Sequence, residues 1–326
     1  MIDKQLRVSG WITDLIIKAK SEAKYLESVR KAKGGMKILA GKPLKGADCR
    51  EVQVPRSGGD GSGGTLRARV YRPLVANGAP RPGPLPALVW LHGGGYAIGV
   101  PELDHAMLKR FLVTSPCVVV APDYRLSIDA PYPAALDDGY DALLWTKAHA
   151  TELGVSTDQL FVGGNSAGGG LTAALTLLAR DRGEVNVAFQ MPLYPMLDDR
   201  MTHPSAVNNT APVWDSKLNL WAWKLYLGDR FGGEVPAYAA AARATDYRGL
   251  PPTATFVGDQ EPFLDETVEY VRRLREAGVS VDFKVYPGCY HGFDAVAPQA
   301  DVSKRALAFL MGAYKRATET CFAAQR

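Results

Sequence analysis

Apolar residues near the start recur at Val8, Trp11, Ile12, Leu15 and Ile16, the spacing of one face of an α-helix. A stripe of that kind predicts a helix packed against another part of the chain. A second helical stretch, 21–31, follows. Both precede the first strand signal, so together they form an appendage to whatever sheet comes later. Residues 51–55 and 65–71 read as strands, and in the latter Leu66, Ala68 and Val70 alternate with polar partners, the period-two mark of a half-buried strand. The glycine- and serine-rich 57–64 between them predicts a turn joining an antiparallel pair.

From residue 87 onward the pattern changes to continuous apolar runs at 87–91, 117–121, 159–162, 187–193, 253–257 and 281–286. Helix-like stretches at 102–112, 134–150, 171–182, 265–277 and 301–316 separate them. Unbroken apolar strands alternating with helices predict a mostly parallel sheet covered on both faces. The fold class is therefore α/β, a doubly wound sheet with an antiparallel start. Residues 195–248 interrupt the alternation with prolines and with Trp214, Trp221, Trp223 and Phe231. They read as an insertion that can form, with the N-terminal helices, a lid over a site. The expected organisation is cap helices in 1–48, a catalytic domain from 49–194 and 247–326, and a cap insertion at 195–246.

Composition narrows the class. A chain of 326 residues, 47% hydrophobic and 22% charged, can bury a core of this size as one soluble domain with an insertion. Its 38 basic and 34 acidic residues are spread without long runs, a net of +4, so neither a nucleic-acid stripe nor a polybasic membrane patch stands out. Within 1–20 Asp14 interrupts the apolar stretch, and no run reaches membrane-spanning length. The expectation is a cytoplasmic protein with neither nucleic-acid nor membrane partners. Cys49, Cys117, Cys289 and Cys321 are scattered without a C-x-x-C pair, which predicts four reduced thiols.

Two glycine-rich stretches carry chemistry and one does not. Gly59-Asp60-Gly61-Ser62-Gly63-Gly64 has the form G-x-G-x-x-G, but a dinucleotide loop opens a helix and this one leads into a strand. By contrast, Gly164-Asn165-Ser166-Ala167-Gly168 sits between a short apolar strand and a helix. A serine at such a strand-to-helix turn is held out as a nucleophile, and flanking glycines leave room for the strained backbone. After the strand at 87–91 comes His92-Gly93-Gly94-Gly95-Tyr96. Its glycines let backbone N–H groups approach a substrate carbonyl, so Gly93, Gly94 and the N–H of Ala167 are the candidate oxyanion hole. Tyr96, which closes this turn, and Trp214 in the insertion are candidate substrate-binding residues.

A serine nucleophile needs a base, and the base needs an orienting acid. Of five histidines, His105 and His149 fall in expected helices, His203 lies in the insertion, and His92 belongs to the glycine turn. His291, in a loop just past the last apolar strand, is where catalytic groups collect in open α/β sheets. The acid is open among Asp259, Glu261, Asp265 and Glu266 in the loop after 253–257, and the last two could equally serve the next helix N-terminus. The chain order of serine, acid and histidine is that of α/β-hydrolases.

These residues resemble the bacterial hormone-sensitive-lipase-type carboxylesterases. The resemblance rests on His92 to Gly95, on Asp123-Tyr124-Arg125-Leu126 continuing to 131–138, on Gly164 to Gly169, on Glu261-Pro262-Phe263-Leu264-Asp265-Glu266, and on His291-Gly292-Phe293. It implies an α/β-hydrolase fold with Ser166 as nucleophile, His291 as base and acid, and Glu261 as orienting acid. Glu261 stands where the family pattern has aspartate, and Asn165 where it commonly has aspartate or threonine. Asp259 and Asp265 therefore stay open as substitutes. The resemblance also implies a helical cap and makes a homodimer an option, while Arg125 is read as bracing loops with nearby carboxylates. The functional expectation is a serine carboxylesterase on small to medium acyl esters, without metal or other cofactor, a short acyl group being favoured because no interfacial amphipathic anchor stands out. Hydrolysis of a lactone or an amide on the same groups is the alternative, and a non-catalytic small-molecule receptor is a third class.

Overall fold

The computed structural model describes residues 1–57 and 63–325. Two helices come first, α1 (Arg7–Ile17) and α2 (Glu22–Met36). Then follow β1 (Ala47–Pro55), β2 (Thr65–Pro73), β3 (Leu85–Leu91), α3 (His105–Thr114) and β4 (Val118–Pro122). The middle holds α4 (Ala134–Ala148), α5 (Ala150–Leu153), β5 (Val155–Asn165), α6 (Ala167–Arg182) and β6 (Phe189–Leu193). After a long connection come α7 (Ser216–Leu227), β7 (Thr253–Gly258), α8 (Leu264–Glu276), β8 (Val281–Tyr286), α9 (Phe293–Val296) and α10 (Asp301–Thr320).

The strands form one sheet in the order β1-β2-β4-β3-β5-β6-β7-β8. β1 pairs antiparallel with β2 and β2 with β4, and every other pairing is parallel. Along β3, Ala87, Val89 and Leu91 enter the core on one face, while Leu88 and Trp90 enter that on the other. Burial on both faces is what the unbroken apolar runs require. From β3 the chain moves to β4 on one side and then returns across it to β5 on the other. That reversal opens a crevice at the carboxyl ends of β3 and β5, the place where open α/β sheets bind ligands. The His92 glycine turn follows β3, and Ser166 follows β5.

The first helix is mounted differently from the sequence expectation. Val8, Trp11, Leu15 and Ile16 are 64–76% exposed, and Ile12 is 48% exposed. The helix instead seats its small and polar side. A Cβ at Gly10 would lie 2.7 Å from the Tyr290 ring and 3.0 Å from Pro212, so only glycine permits this approach. Ser9 Oγ lies 2.9 Å from the Tyr290 hydroxyl, and the Val213 N–H donates to Asp14 Oδ1 at 2.8 Å. The second helix meets α7 through the rings of Tyr25 and Trp221, 5.8 Å apart, and through Glu22 and Lys224 at 2.8 Å.

The insertion contains α7, which the aromatic density of 195–248 concealed from sequence reading. Asp215 caps it, its Oδ1 accepting from Lys217 N at 3.0 Å and Leu218 N at 2.9 Å. Most of the glycine-rich turn expected at 57–64, and with it most of the discarded G-x-G-x-x-G stretch, lies outside the described residues. All four cysteines are free, with Cys117 and Cys289 buried. Among the described residues no helix is long and apolar enough to cross a membrane.

Arg125 braces the loop after β4 as expected. Its backbone N–H donates to Asp138 Oδ2 at 2.7 Å, its guanidinium reaches Oδ1 at 3.0 Å, and Arg56 reaches the same oxygen at 2.9 Å. Asp138 is fully buried. Removing one member of a buried charge cluster leaves the others desolvated and poorly compensated, which costs about 3–5 kcal/mol. Asp138→Ala is therefore expected to lower unfolding free energy in urea by that amount, and a loss below about 1 kcal/mol would contradict the bracing role.

Candidate active site

Ser166 lies at the tightest point of the fold. It is the N-cap of α6, with φ 57° and ψ −120°, a conformation that L residues rarely adopt and that surrounding structure must enforce. Its N–H donates to Leu193 O at 2.9 Å, and its carbonyl accepts from Gly170 N at 2.9 Å and Met196 N at 3.1 Å. Gly164 and Gly168 sit where backbone meets backbone. A Cβ on Gly168 would lie 2.0 Å from Leu91 O, and one on Gly164 would lie 2.4 Å from Gly168 O. Side chains at either position would push β5, α6 and the end of β3 apart.

From this turn the Ser166 hydroxyl reaches His291. Oγ and Nε2 are 2.7 Å apart, and His291 Nδ1 lies 2.5 Å from Glu261 Oε2. All three residues are buried. Glu261 also accepts from the Gly258 N–H through Oε1 at 2.8 Å, so its extra methylene lets the side chain curl back over its own loop while Oε2 still reaches the imidazole. The competing acids are engaged elsewhere. Asp259 accepts from Gly288 N at 2.7 Å, Asp265 from Ser205 N at 2.8 Å, and Glu266 from Leu197 N at 2.7 Å. Burial pushes the Glu266 carboxyl well above the ordinary range. A carboxylate, imidazole and hydroxyl joined in series can withdraw the hydroxyl proton as the oxygen attacks an electrophile.

The imidazole is fenced by rings. Tyr194 and Phe263 meet it edge-on, with centroids 5.1 and 5.0 Å away, and Trp214 is tilted at 6.2 Å. Trp214 also covers the glycine turn, since a Cβ on Gly95 would lie 2.6 Å from its Cη2 atom. It roofs the space beside Ser166. Tyr96 does not line that space. Its side chain is buried, its hydroxyl donates to Met196 O at 3.1 Å, and its ring stacks on Tyr226 at 3.8 Å. Substrate contact through Tyr96 is thus corrected to packing beneath the turn, because the φ of 60° at this residue swings the side chain into the core.

The glycine turn itself is held from behind. His92 stacks on Tyr124 with centroids 4.2 Å apart, its Nδ1–H donates to Gly93 O at 2.7 Å, and the Tyr124 hydroxyl donates to His92 O at 2.7 Å. Burial lowers the His92 pKa. Among the described residues the N–H groups of Gly93 and Gly94 have no acceptor. The Ala167 N–H opens α6, where the first turn leaves donors without intrahelical partners. The glycine turn lies against the residue before the serine, since a Cβ on Gly93 would lie 2.7 Å from Asn165 Oδ1, and the serine itself opens α6, at the positive end of its dipole.

Sequence reading missed a polar layer behind the serine. Asn165 Nδ2 donates to Asp104 Oδ1 at 3.2 Å, and Trp90 Nε1 donates to Asp104 Oδ2 at 2.7 Å. This ties the residue before Ser166 to the turn before α3, and it is the use this chain makes of asparagine at that position. Asp294, three residues past His291, is buried, and burial pushes its pKa up to about 6. Nearness to His291 in sequence was the available signal for Asp294. Asp104 had none, since only the fold brings it near Ser166. Among the described residues no group of three His, Cys, Asp or Glu could hold a metal ion.

Comparison with known proteins gives the family. A family model described as alpha/beta hydrolase fold matches residues 88–295. Carboxylesterase NlhH of Mycobacterium tuberculosis is 32% identical over 255 residues, 77% of this chain and 78% of the relative. Esterase LipI of the same organism is 31% identical over 244 residues, 74% and 75% of the two chains. Among solved structures, a bacterial heroin esterase superposes with a TM-score of 0.85 at 36% identity, covering 97% of this chain and 98% of the other. The esterase LipW from Mycobacterium marinum superposes at 0.79 and 31% identity, covering 97% and 96%. With a family model spanning well over half its length and relatives of this identity, the chain belongs to the hormone-sensitive-lipase-like carboxylesterases of the α/β-hydrolase superfamily and is a carboxylic ester hydrolase.

Proposed function

We propose that ester hydrolysis here runs through an acyl-enzyme on Ser166, with His291 as general base and then general acid and Glu261 as the orienting carboxylate. The observation that carries this reading is the unbroken hydrogen-bond series from Ser166 Oγ through His291 to Glu261, at 2.7 and 2.5 Å. Ser166 Oγ attacks the ester carbonyl while His291 Nε2 takes its proton. The tetrahedral oxyanion is stabilised by the N–H groups of Gly93, Gly94 and Ala167. Collapse expels the alcohol, protonated by His291, and a water then repeats the sequence to release the acid.

The reading extends to the surrounding architecture. Residues 1–48 and 195–246 act as a cap on a catalytic domain of 49–194 and 247–326. Support comes from the contacts of α1 and α2 with the insertion and from Trp214, an insertion residue packed over Gly95. A small to medium acyl group enters beneath that roof. The partner is a small-molecule ester, no nucleic acid is engaged, and the protein works in the cytoplasm, alone or as a homodimer.

Asp294 couples this site to pH. Its ordinary pKa is 3.8 and burial raises it to about 6, so the folded chain binds this proton more tightly than the unfolded chain. Its contribution favours folding below about pH 4 and is lost as pH rises through about 6. In urea melts, Asp294→Asn is expected to gain stability relative to wild type by about 2–3 kcal/mol between about pH 4 and pH 8. A difference that does not change with pH would contradict the burial of this acid.

The mechanism is tested by turnover of p-nitrophenyl acetate. Ser166→Ala is expected to lower kcat by about 10⁴-fold or more, and Glu261→Gln by about 10³–10⁴-fold, with Asp259→Asn and Asp265→Asn staying within about tenfold of wild type. The opposite ranking of the acids would move the orienting role off Glu261. Equal rates for wild type and Ser166→Ala would remove Ser166 as nucleophile.

A further inference from the structure

The outward face of α1 is the feature that catalysis leaves unused. Val8, Trp11, Ile12, Leu15 and Ile16 form one helical stripe, each at least 48% exposed. A stripe of large apolar side chains turned to water marks a contact surface. The helix is fixed in this pose from behind, through Gly10 against Tyr290 and Pro212 and through Asp14 to the Val213 N–H. Tyr290 precedes His291, and Val213 precedes Trp214. The stripe therefore stands on the loops that hold the imidazole and roof the serine.

Charge identifies what meets this face. Residues 1–45 carry eleven Lys or Arg and four Asp or Glu, a net of +7 in a chain whose total is +4. Lys4, Arg7, Lys20, Arg30, Lys31 and Lys37 are exposed, and none forms an ion pair among the described residues. Counted over the whole chain this excess disappears, which is why composition alone shows no basic patch. A second copy docking through the same face would set two +7 segments against each other. An anionic surface meets no such repulsion. An exposed apolar helical stripe containing a tryptophan, within a segment rich in exposed Lys and Arg, fits a helix lying in the headgroup region of a bilayer.

We infer that the exposed face of α1 docks the protein on an anionic lipid surface, with the roof of the active site at the lipid boundary and esters that partition into lipid as its substrates. The helix lies in the interface and does not cross it. This revises the expectations of no membrane partner and no interfacial anchor, the former of which rested on charge spread without long runs over the whole chain and on the absence of an apolar run of membrane-spanning length. Docking rests on α1 and its charge alone, and only the substrate class depends on the reading of Ser166.

Co-sedimentation of the full chain with vesicles tests it. Wild type is expected to pellet with phosphatidylcholine vesicles containing phosphatidylglycerol, far less with phosphatidylcholine alone, and less as salt is raised. The double variant Trp11→Ser/Leu15→Ser is expected to lose at least about tenfold in partitioning while turnover of soluble p-nitrophenyl acetate is unchanged. Failure of wild type to pellet, or equal pelleting of the variant, would overturn the inference. So would a wild-type dimer in analytical ultracentrifugation that the double variant dissociates while neither binds vesicles, since the face would then belong to a second copy. Loss of soluble-ester turnover on Ser166→Ala reads the catalytic proposal separately.

Discussion

The site depends on one backbone constraint, the positive φ of Ser166. Holding a serine there costs of order 1–3 kcal/mol, and the structure supplies the restraint through main-chain bonds to Leu193, Met196 and Gly170. The strand order makes those bonds available. β5 lies between β3 and β6, so its end sits in register with Leu91 on one side and, through the Ser166 N–H, bonds the Leu193 carbonyl on the other. Gly164 and Gly168 are small because backbone from neighbouring elements fills the space a Cβ would need. The same closeness brings the glycine turn after β3 against Asn165 and the start of α6.

The remaining groups are held by burial rather than by the sheet. His291 sits among Tyr194, Phe263 and Trp214, which limit its rotation and keep water from its hydrogen bonds. Glu261 has no exposed surface, and its two oxygens are used by the Gly258 N–H and the imidazole. A buried carboxylate is tolerated when it is paired and hydrogen-bonded in this way. Asp104 and Asp294 show the other outcome of burial, since both carboxyls are driven toward the protonated form.

Local chemistry was legible in the sequence, and long-range placement was not. The runs at 87–91 and 253–257 became β3 and β7 because strands buried on both faces leave a continuous apolar record. Ser166, His291 and the glycine turn were legible because special backbone needs and loop position leave marks in a few adjacent residues. Glu261 emerged only through resemblance, since four acids in one loop differ by where each points. Asp104 left no mark, because a 3D contact with Asn165 has no sequence spacing. For Tyr96 and α1, the direction of a side chain was decided by backbone geometry or by a single glycine. The apolar stripe of α1 was read correctly as a helix and wrongly as buried, because periodicity reports a face and not what covers it.

Seen together, the chain spends its small residues on bringing backbones close and its aromatic residues on enclosing one imidazole. That singles out Ser166 as the proposed nucleophile. The most direct measurement is mass spectrometry after exposure to a fluorophosphonate, which forms a covalent adduct only with an activated serine. A single adduct on the peptide carrying Ser166 is expected, formed much more slowly in Glu261→Gln. An adduct on another residue, or none while ester hydrolysis persists, would contradict it.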